Sequence, residues 1–483
     1  MPQHRCVLRT LRYAGLAASC LLAVGGWLGG ALPDSNLAAT PVTIWRAPYG
    51  AFILAGWLAG TATLAYLWWV ARDRLPSTRW VVVTVVLWLL PFVVVPPMGS
   101  RDVYSYACQG DLFRHGLNPY DAGVSALPCQ WIDAVSPVWR DTPTPYGPLF
   151  VLLTAAVVAL GGTLPGIIVL LRLVTVAAVA VIALSLPVLA RRCGVPARRA
   201  LWVALAGPLV GPQLIAGMHN DALMLALMVG GLALLVAVPD RVLVWLAGAA
   251  LLGLATAVKA TAIVVLPFAV LIAVRGPDRP SAGRAVRGGA IVVGGAAVGM
   301  ALVTAASGLG FGWVPAMSQT GNLIQFTSLP SAVGMTVTYI VRPVVPGVDA
   351  VPAVRMLAIG LLAVLLVGLW LRAGRAADPV PAALWGAALA MAATVALSPA
   401  FHPWYALWPL MLMAATTLRT DLVMAAAIGA DLIVLPDGSG LARFVKFPGA
   451  PLMTAVIVVL LVRYVRGRAR PASPPYLDVR GAC

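Results

Sequence analysis

The chain is predicted to be an all-α, polytopic integral membrane protein of about thirteen or fourteen spanning helices, and three observations carry that expectation. Of its 483 residues 61% are hydrophobic and 10% charged, with a mean hydropathy of +0.93. That balance cannot wrap one water-soluble core in a polar shell, so lipid must be the solvent for most of the chain. Apolar runs of about 20 residues, the length that crosses a bilayer as a helix, recur along the sequence. Small arginine clusters and Pro, Gly, Trp and Asp residues punctuate them.

The clusters give the elements an order. They fall at Arg5, Arg9 and Arg12, at Arg72, Arg74 and Arg79, at Arg191, Arg192, Arg198 and Arg199, from Arg275 to Arg287, at Arg372 and Arg375, and from Arg463 to Arg470. The positive-inside rule places all of them, and the N-terminus, in the cytoplasm of a multi-pass plasma-membrane protein. Threading the chain through these anchors gives spans near 14–32, 50–70, 80–97, 165–190, 200–217, 222–238, 242–258, 260–274, 288–307, 353–371, 380–397, 404–418, 421–436 and 450–466. The first run has the basic flank of a secretory signal but no clean small-residue cleavage site before Pro33 and Asp34, and is expected to stay as a membrane helix. Residues 1–470 form the membrane domain, and the proline-bearing tail 471–483 is expected to be disordered and cytoplasmic.

With that orientation the loops sort into two kinds. The cytoplasmic ones are short and basic. The external ones are a large loop at about 98–147, the turn at His219, Asn220 and Asp221, the stretch from Gly308 to about Pro352, and Ser398 to Trp408. The apolar run from Tyr146 to Gly162 cannot cross without moving the Arg191–Arg199 cluster outside, so it is expected to lie at the outer interface, as is Ser331 to Val345. The two would roof an enclosed space above the membrane.

The +17 formal charge does not indicate nucleic acid, because the arginines are scattered between apolar runs and form no stripe with aromatics. All 16 acidic residues are Asp, and the only lysines are Lys259 and Lys446. The densest polar segment runs from Ser100 to Tyr120 and reads as a short helix closed by Gly116 and stopped by Pro119. Asp102 and Tyr106 share one face, whereas Asp111 points about half a turn away, so the two aspartates are not a carboxylate pair. The residue types leave Asp102 open to two readings, a base aimed into a cavity or a helix cap paired with Arg101.

The run Arg101-Asp-Val-Tyr-Ser-Tyr106, followed by His-Gly-Leu-Asn-Pro-Tyr120, by Trp139-Arg-Asp-Thr-Pro-Thr-Pro-Tyr-Gly-Pro-Leu149 and by Met218-His-Asn-Asp-Ala-Leu-Met224, resembles the GT-C class of membrane glycosyltransferases. Within it the resemblance is to the polyprenol-phosphomannose-dependent alpha-1,6-mannosyltransferases of the MptA and MptB type, and it extends over most of the chain. It implies a GT-C-like bundle with its active site on the external face. It also implies transfer of mannose from polyprenyl phosphomannose to a lipid-anchored alpha-1,6-mannan, the backbone of lipomannan and lipoarabinomannan. An Asp of the first large loop serves such enzymes as base, and the matching residue is Asp102, with Asp34 as competitor. Tyr104, Tyr106, Arg140, Asp141 and Tyr146 belong to the matched segments.

One carboxylate suffices for this chemistry, because phosphate leaves readily and needs stabilisation of its charge more than protonation. A cation for that purpose is Lys259, which sits at a turn read as external, against the positive-inside pattern; snorkelling is its alternative role. Arg172 lies on the order of 10 Å inside a span and could pair with phosphate, with Asp102 or with a helix carbonyl. Asp221 either caps its helix or, with His219 and Asn220, binds sugar hydroxyls. His402, Trp404, Tyr405 and Trp408 form an aromatic patch that is either an interfacial belt or a surface for sugar or prenyl chain. His115, His219 and His402 lack paired ligand spacing, so no cofactor and no obligatory metal is expected. Cys108 and Cys129 fall together in the external loop, where an oxidising compartment permits a bridge. A transporter or lipid-linked-sugar flippase is the alternative class, but paired repeats with broken helices are not evident. A scaffold would have no use for Asp, Lys and Arg converging on one face.

Overall fold

The computed structural model describes residues 2–37, 40–238, 241–274, 282–440 and 445–469. The expected tail 471–483 and the 275–281 part of one arginine cluster lie outside the described residues. Among the described residues there is no β-strand, only one isolated antiparallel bridge between Val434 and Gly440. The protein is an all-α polytopic membrane protein.

Each of the fourteen expected apolar runs folds as helix, but only some reach spanning length unbroken. Six helices do so by length and composition: α1 (Pro2–Gly29, apolar from Cys6), α3 (Gly50–Ala71), α7 (Leu164–Arg192), α12 (Ala282–Ser307), α15 (Val351–Gly374) and α16 (Pro379–Leu397). The run at 200–217 is a bent pair, α8 (Ala197–Leu205) and a π-helical turn at Val210–Ala216, meeting at 71°. Gly207 and Pro208 stand at that break, where Pro208 has no N–H to continue the ladder.

The remaining helices are shorter. Between the long ones lie α2 (Pro41–Arg46), α4 (Thr78–Val94), α5 (Asp102–Arg114), α6 (Pro148–Gly161), α9 (Asp221–Ala237) and α10 (Val242–Val258). A 3-10 turn at Ala260–Val265 leads into α11 (Leu266–Ala273), and α13 (Trp313–Ala316) and α14 (Leu329–Val341) follow α12. The end of the chain adds a 3-10 turn at Pro403–Ala406, α17 (Leu407–Thr416), α18 (Asp421–Leu432) and α19 (Gly449–Ala469). α6 and α14 are the helices expected at Tyr146–Gly162 and Ser331–Val345.

Close packing of small residues holds the bundle together, as expected where lipid provides no hydrophobic drive between helices. α9, α10 and α12 form its tightest group. There Gly253 of α10 lets α12 approach: a Cβ on Gly253 would sit 2.0 Å from the Ala296 carbonyl oxygen. α1 packs against α3 and α4, with Leu22 fully buried and Arg12 Nε donating to Thr84 Oγ1 at 2.9 Å. A disulfide joins Cys108 of α5 to Cys129, so the sequence's permitted bridge is formed. It ties the large loop to the helix that begins with Asp102.

Candidate active site

Asp102 is the first residue of α5, and the local backbone aims its carboxylate. Ser100 Oγ accepts the Asp102 N–H at 3.1 Å. Arg101 turns the other way: its guanidinium donates to the carbonyls of Ala134 at 3.1 Å and Ser35 at 2.9 Å and to Ser35 Oγ. Arg101 therefore stitches the first loop to the large loop and is not the salt-bridge partner of a capping Asp102. One turn along, the Tyr106 hydroxyl lies 3.5 Å from Asp102 Oδ2, as their shared face required. Tyr106, Tyr146 and Phe150 pack edge to face, with ring centroids 4.8 to 5.5 Å apart, a favourable geometry for aromatic rings. Burial pushes the Tyr106 hydroxyl well above its usual pKa, so it stays a neutral donor.

The turn before α9 supplies the second group. His219 is fully buried, its Nδ1 lies 2.7 Å from the Gln213 carbonyl oxygen, and its Nε2 faces Asp102 Oδ2 at 3.8 Å. Asp221 does not cap its helix. Its carboxylate accepts from Lys259 Nζ at 2.8 and 3.0 Å and from Trp408 Nε1 at 2.6 Å. The Lys259 ammonium also sits 4.5 Å from the Tyr405 ring centroid and 5.0 Å from that of Trp408, within cation–π range.

The loop before α17 closes the site with aromatic rings. Trp404 stacks on His219 at 3.6 Å and on His402 at 4.8 Å, and Tyr405 stacks on Trp408 at 4.2 Å. Trp404 and Trp408 are buried, so they line the site and are not an interfacial belt. Burial pushes the His402 imidazole down to about 4, and lowers that of His219, so both rings are neutral near pH 7.

Two cavities meet at Asp102. The larger, about 700 Å³, is bounded by Arg101, Ser136, Gln325, Asp437, Ser439 and Lys446 among others. The smaller, about 140 Å³, is bounded by Tyr146, Lys259, Thr261, Met317, Tyr405 and Trp408 among others. Asp102, Trp139, His402 and Trp404 line both. The carboxylate therefore stands on a wall shared by a larger chamber of mixed polar and apolar lining and a smaller, aromatic one that holds an ammonium.

The structure brings together Asp102, Tyr106, Tyr146, His219, Asp221, Lys259, His402, Trp404 and Tyr405. It does not bring in four other expected residues. The Tyr104 hydroxyl donates to the Ala31 carbonyl, and Arg140 is spent on the carbonyls of Val135 and Asp133. Arg172 donates to the carbonyls of Val93 at 3.1 Å and Ala216 at 3.4 Å, the helix-carbonyl pairing among its three options. The Asn220 amide is buried and lines neither cavity. Asp34 and Asp141 line neither cavity either. Missed in the sequence were the turn Pro436–Gly440 and Lys446, which wall the larger cavity. The turn-dense string Pro-Asp-Gly-Ser-Gly directly after an apolar run was the available signal. Among the described residues no three His, Cys, Asp or Glu side chains converge as a metal site.

An all-α membrane bundle that holds one carboxylate between two cavities, with an ammonium and stacked rings beside it, has the parts of a membrane glycosyltransferase. The family described as "Alpha-(1->6)-mannopyranosyltransferase, N-terminal domain" matches residues 12–275, and the MptB C-terminal domain matches residues 330–463. The chain belongs to the alpha-(1->6)-mannopyranosyltransferase family. It is 33% identical over 410 residues to alpha-(1->6)-mannopyranosyltransferase A of Mycobacterium tuberculosis, covering 82% of this chain and 77% of that protein. It is 31% identical over 522 residues to a probable alpha-(1->6)-mannopyranosyltransferase of Mycolicibacterium smegmatis, covering 97% of this chain and 90% of that one. Alpha-(1->6)-mannopyranosyltransferase A of Corynebacterium glutamicum is 31% identical over 332 residues, 66% of this chain and 67% of its own. No solved structure matches the chain. It is thus a mannosyltransferase enzyme of the membrane.

Proposed function

We propose that the protein transfers mannose from polyprenyl phosphomannose to the 6-hydroxyl of a lipid-anchored alpha-1,6-mannan, as in lipomannan and lipoarabinomannan backbones, with Asp102 as base. The observation that carries this reading is the position of Asp102 on the wall between the two cavities. The acceptor enters the larger chamber of about 700 Å³, and the sugar phosphate faces the smaller one with Lys259. Asp102 takes the proton of the acceptor hydroxyl. The freed oxygen pair attacks the anomeric carbon as the bond to phosphate breaks on the opposite face, so a beta-linked donor gives an alpha-linked product.

Lys259 has three N–H donors, and two are directed at Asp221. The third serves the phosphate whose charge grows as it leaves. Tyr106 orients the Asp102 carboxylate, and the rings of Trp404 and His402 flank the sugar. No metal or other cofactor takes part in this scheme. The disulfide on α5 supports an external active site, because such bonds persist in oxidising compartments, and the cytoplasmic N-terminus follows from the same orientation.

The test is transfer of radiolabelled mannose from polyprenyl phosphomannose to a short alpha-1,6-mannoside in membranes carrying wild type or Asp102→Asn at matched expression. Activity in the wild type and loss in the variant is the expected result. An active variant would remove Asp102 as base, and an inactive wild type would remove the donor.

A further inference from the structure

The backbone on the N-terminal side of His219 is doubly unusual. Val210–Ala216 winds as a π-helix, a form concentrated at functional sites. Met218 holds a φ of +51°, a left-handed conformation that costs a side-chain-bearing residue about 1–2 kcal/mol. The result is an imidazole driven into the bundle beside the Asp102 carboxylate.

Its two nitrogens are not equivalent there. Nδ1 lies 2.7 Å from the Gln213 carbonyl oxygen, which can only accept, so Nδ1 carries the proton of the neutral ring. Nε2 is left as a bare lone pair. It has no hydrogen-bond partner among the described residues and faces Asp102 Oδ2 across 3.8 Å. Two acceptors opposed across such a gap repel each other unless a proton lies between them. Stacking on Trp404 at 3.6 Å prevents the ring from turning away.

We propose that His219 is the positioning partner of the base: Nε2 takes from Asp102 the proton that the carboxylate removes from the acceptor hydroxyl. This rests on the reading of Asp102 as base. The hydroxyl proton passes to Oδ2 while the C1–phosphate bond breaks with its electron pair on phosphate. It then moves from Oδ2 to Nε2, giving an imidazolium tied to the Gln213 carbonyl and restoring the carboxylate. When the product departs, Nε2 returns the proton to Asp102, which lines the larger cavity and gives it up to water there. The surroundings set the ring's basicity: burial, the largest influence, and Lys259 oppose the imidazolium, Asp102, Asp221 and the Gln213 carbonyl favour it, and the neighbouring His402 is neutral. The ring therefore gives its proton up again and returns to the neutral form.

The experiment compares wild type, Asp102→Asn, His219→Asn and His219→Gln, each purified and checked for monodispersity and thermal unfolding. Asn at 219 keeps a donor near the Nδ1 position for Gln213 but lacks Nε2. For His219→Asn the expected kcat is lower by on the order of 10²-fold, with KM for both substrates within about threefold. In the wild type, protonation of Nε2 as pH falls removes the proton acceptor and sets the acid limb of kcat; in His219→Asn that limb moves to lower pH. Where the Asn variant does not fold, the same result is read from His219→Gln, whose amide overlays Nε2 and cannot take a proton. Wild-type kcat and acid limb in the folded variant, or a lower kcat on an unmoved limb, would overturn the proposal while leaving Asp102 as base. An active Asp102→Asn would overturn the base itself, and the two failures are told apart by which variant shows them.

Discussion

Lys259 and Asp221 form a bidentate ion pair inside the bundle, with Nζ 2.8 and 3.0 Å from the two carboxylate oxygens and the Asp221 side chain without solvent exposure. The pair lies at the start of α9 and at the break after α10, so it joins two elements of the tightest helix group to the active site. A buried pair loses more when one partner is removed than when both are, because the survivor keeps its charge without a partner. Asp221→Asn and Lys259→Met should each destabilise the fold by about 3–5 kcal/mol, and the double variant by less than their sum. Thermal or denaturant unfolding in detergent checks this. A double variant that is additive would mean the two residues act separately.

The disulfide between Cys108 and Cys129 closes a loop over a sequence separation of 21 and anchors the middle of α5, the helix that begins with Asp102. Cys108→Ala with Cys129→Ala should cost about 2–4 kcal/mol of stability. Thiol labelling of the denatured, unreduced wild type should leave both residues unmodified. Reduction should lower the unfolding temperature of the wild type and leave that of the double variant unchanged.

His402 makes stability depend on pH in a defined direction. Its ordinary pKa of 6.5 is pushed down to about 4, with burial the largest cause. The unfolded chain therefore binds a proton that the folded one refuses across that window, so stability falls as pH drops from about 6.5 towards 4. The loss attributable to this residue is roughly 1–3 kcal/mol. His402→Gln should flatten that part of the unfolding profile between pH 4 and 7. An unchanged slope would assign it to other groups.

The helices were legible in the sequence because apolar run length and arginine punctuation both follow from the bilayer, and each expected run is helical. Within the site, the shared face of Asp102 and Tyr106 was readable from helical spacing, whereas the reading of Asp102 as base came from the family resemblance. The ion pair of Asp221 and Lys259 was not, because the residues stand 38 positions apart on separate elements and nothing local marks them as partners. Arg172 stayed open in the sequence for a related reason. A buried arginine calls for an acceptor, but residue type does not distinguish a substrate phosphate from the carbonyls of Val93 and Ala216 that satisfy it. Trp404 and Trp408 looked like a lipid belt because indoles at a span's end usually are one, and only the fold shows them turned inward.

The turn at Pro436–Gly440 acts on the base from a distance. The Gly99 N–H donates to the Pro436 carbonyl at 2.9 Å, and Gly438, at φ +85°, packs directly on Ser100, whose Oγ receives the Asp102 N–H. A Cβ at 438 would lie 2.8 Å from Ser100 Cα, closer than backbone tolerates. Gly438→Ala therefore combines left-handed strain of about 1–2 kcal/mol with a push on the residue that aims α5. Gly347→Ala is the matched control, since Gly347 has φ +84° but open space around its would-be Cβ. Both variants should lose similar stability to strain. Only Gly438→Ala should also lower kcat, by on the order of tenfold, because a displacement of the base by a fraction of an ångström degrades the reacting geometry. Equal kcat in the two variants would separate the C-terminal turn from the chemistry and leave it as a wall of the larger cavity.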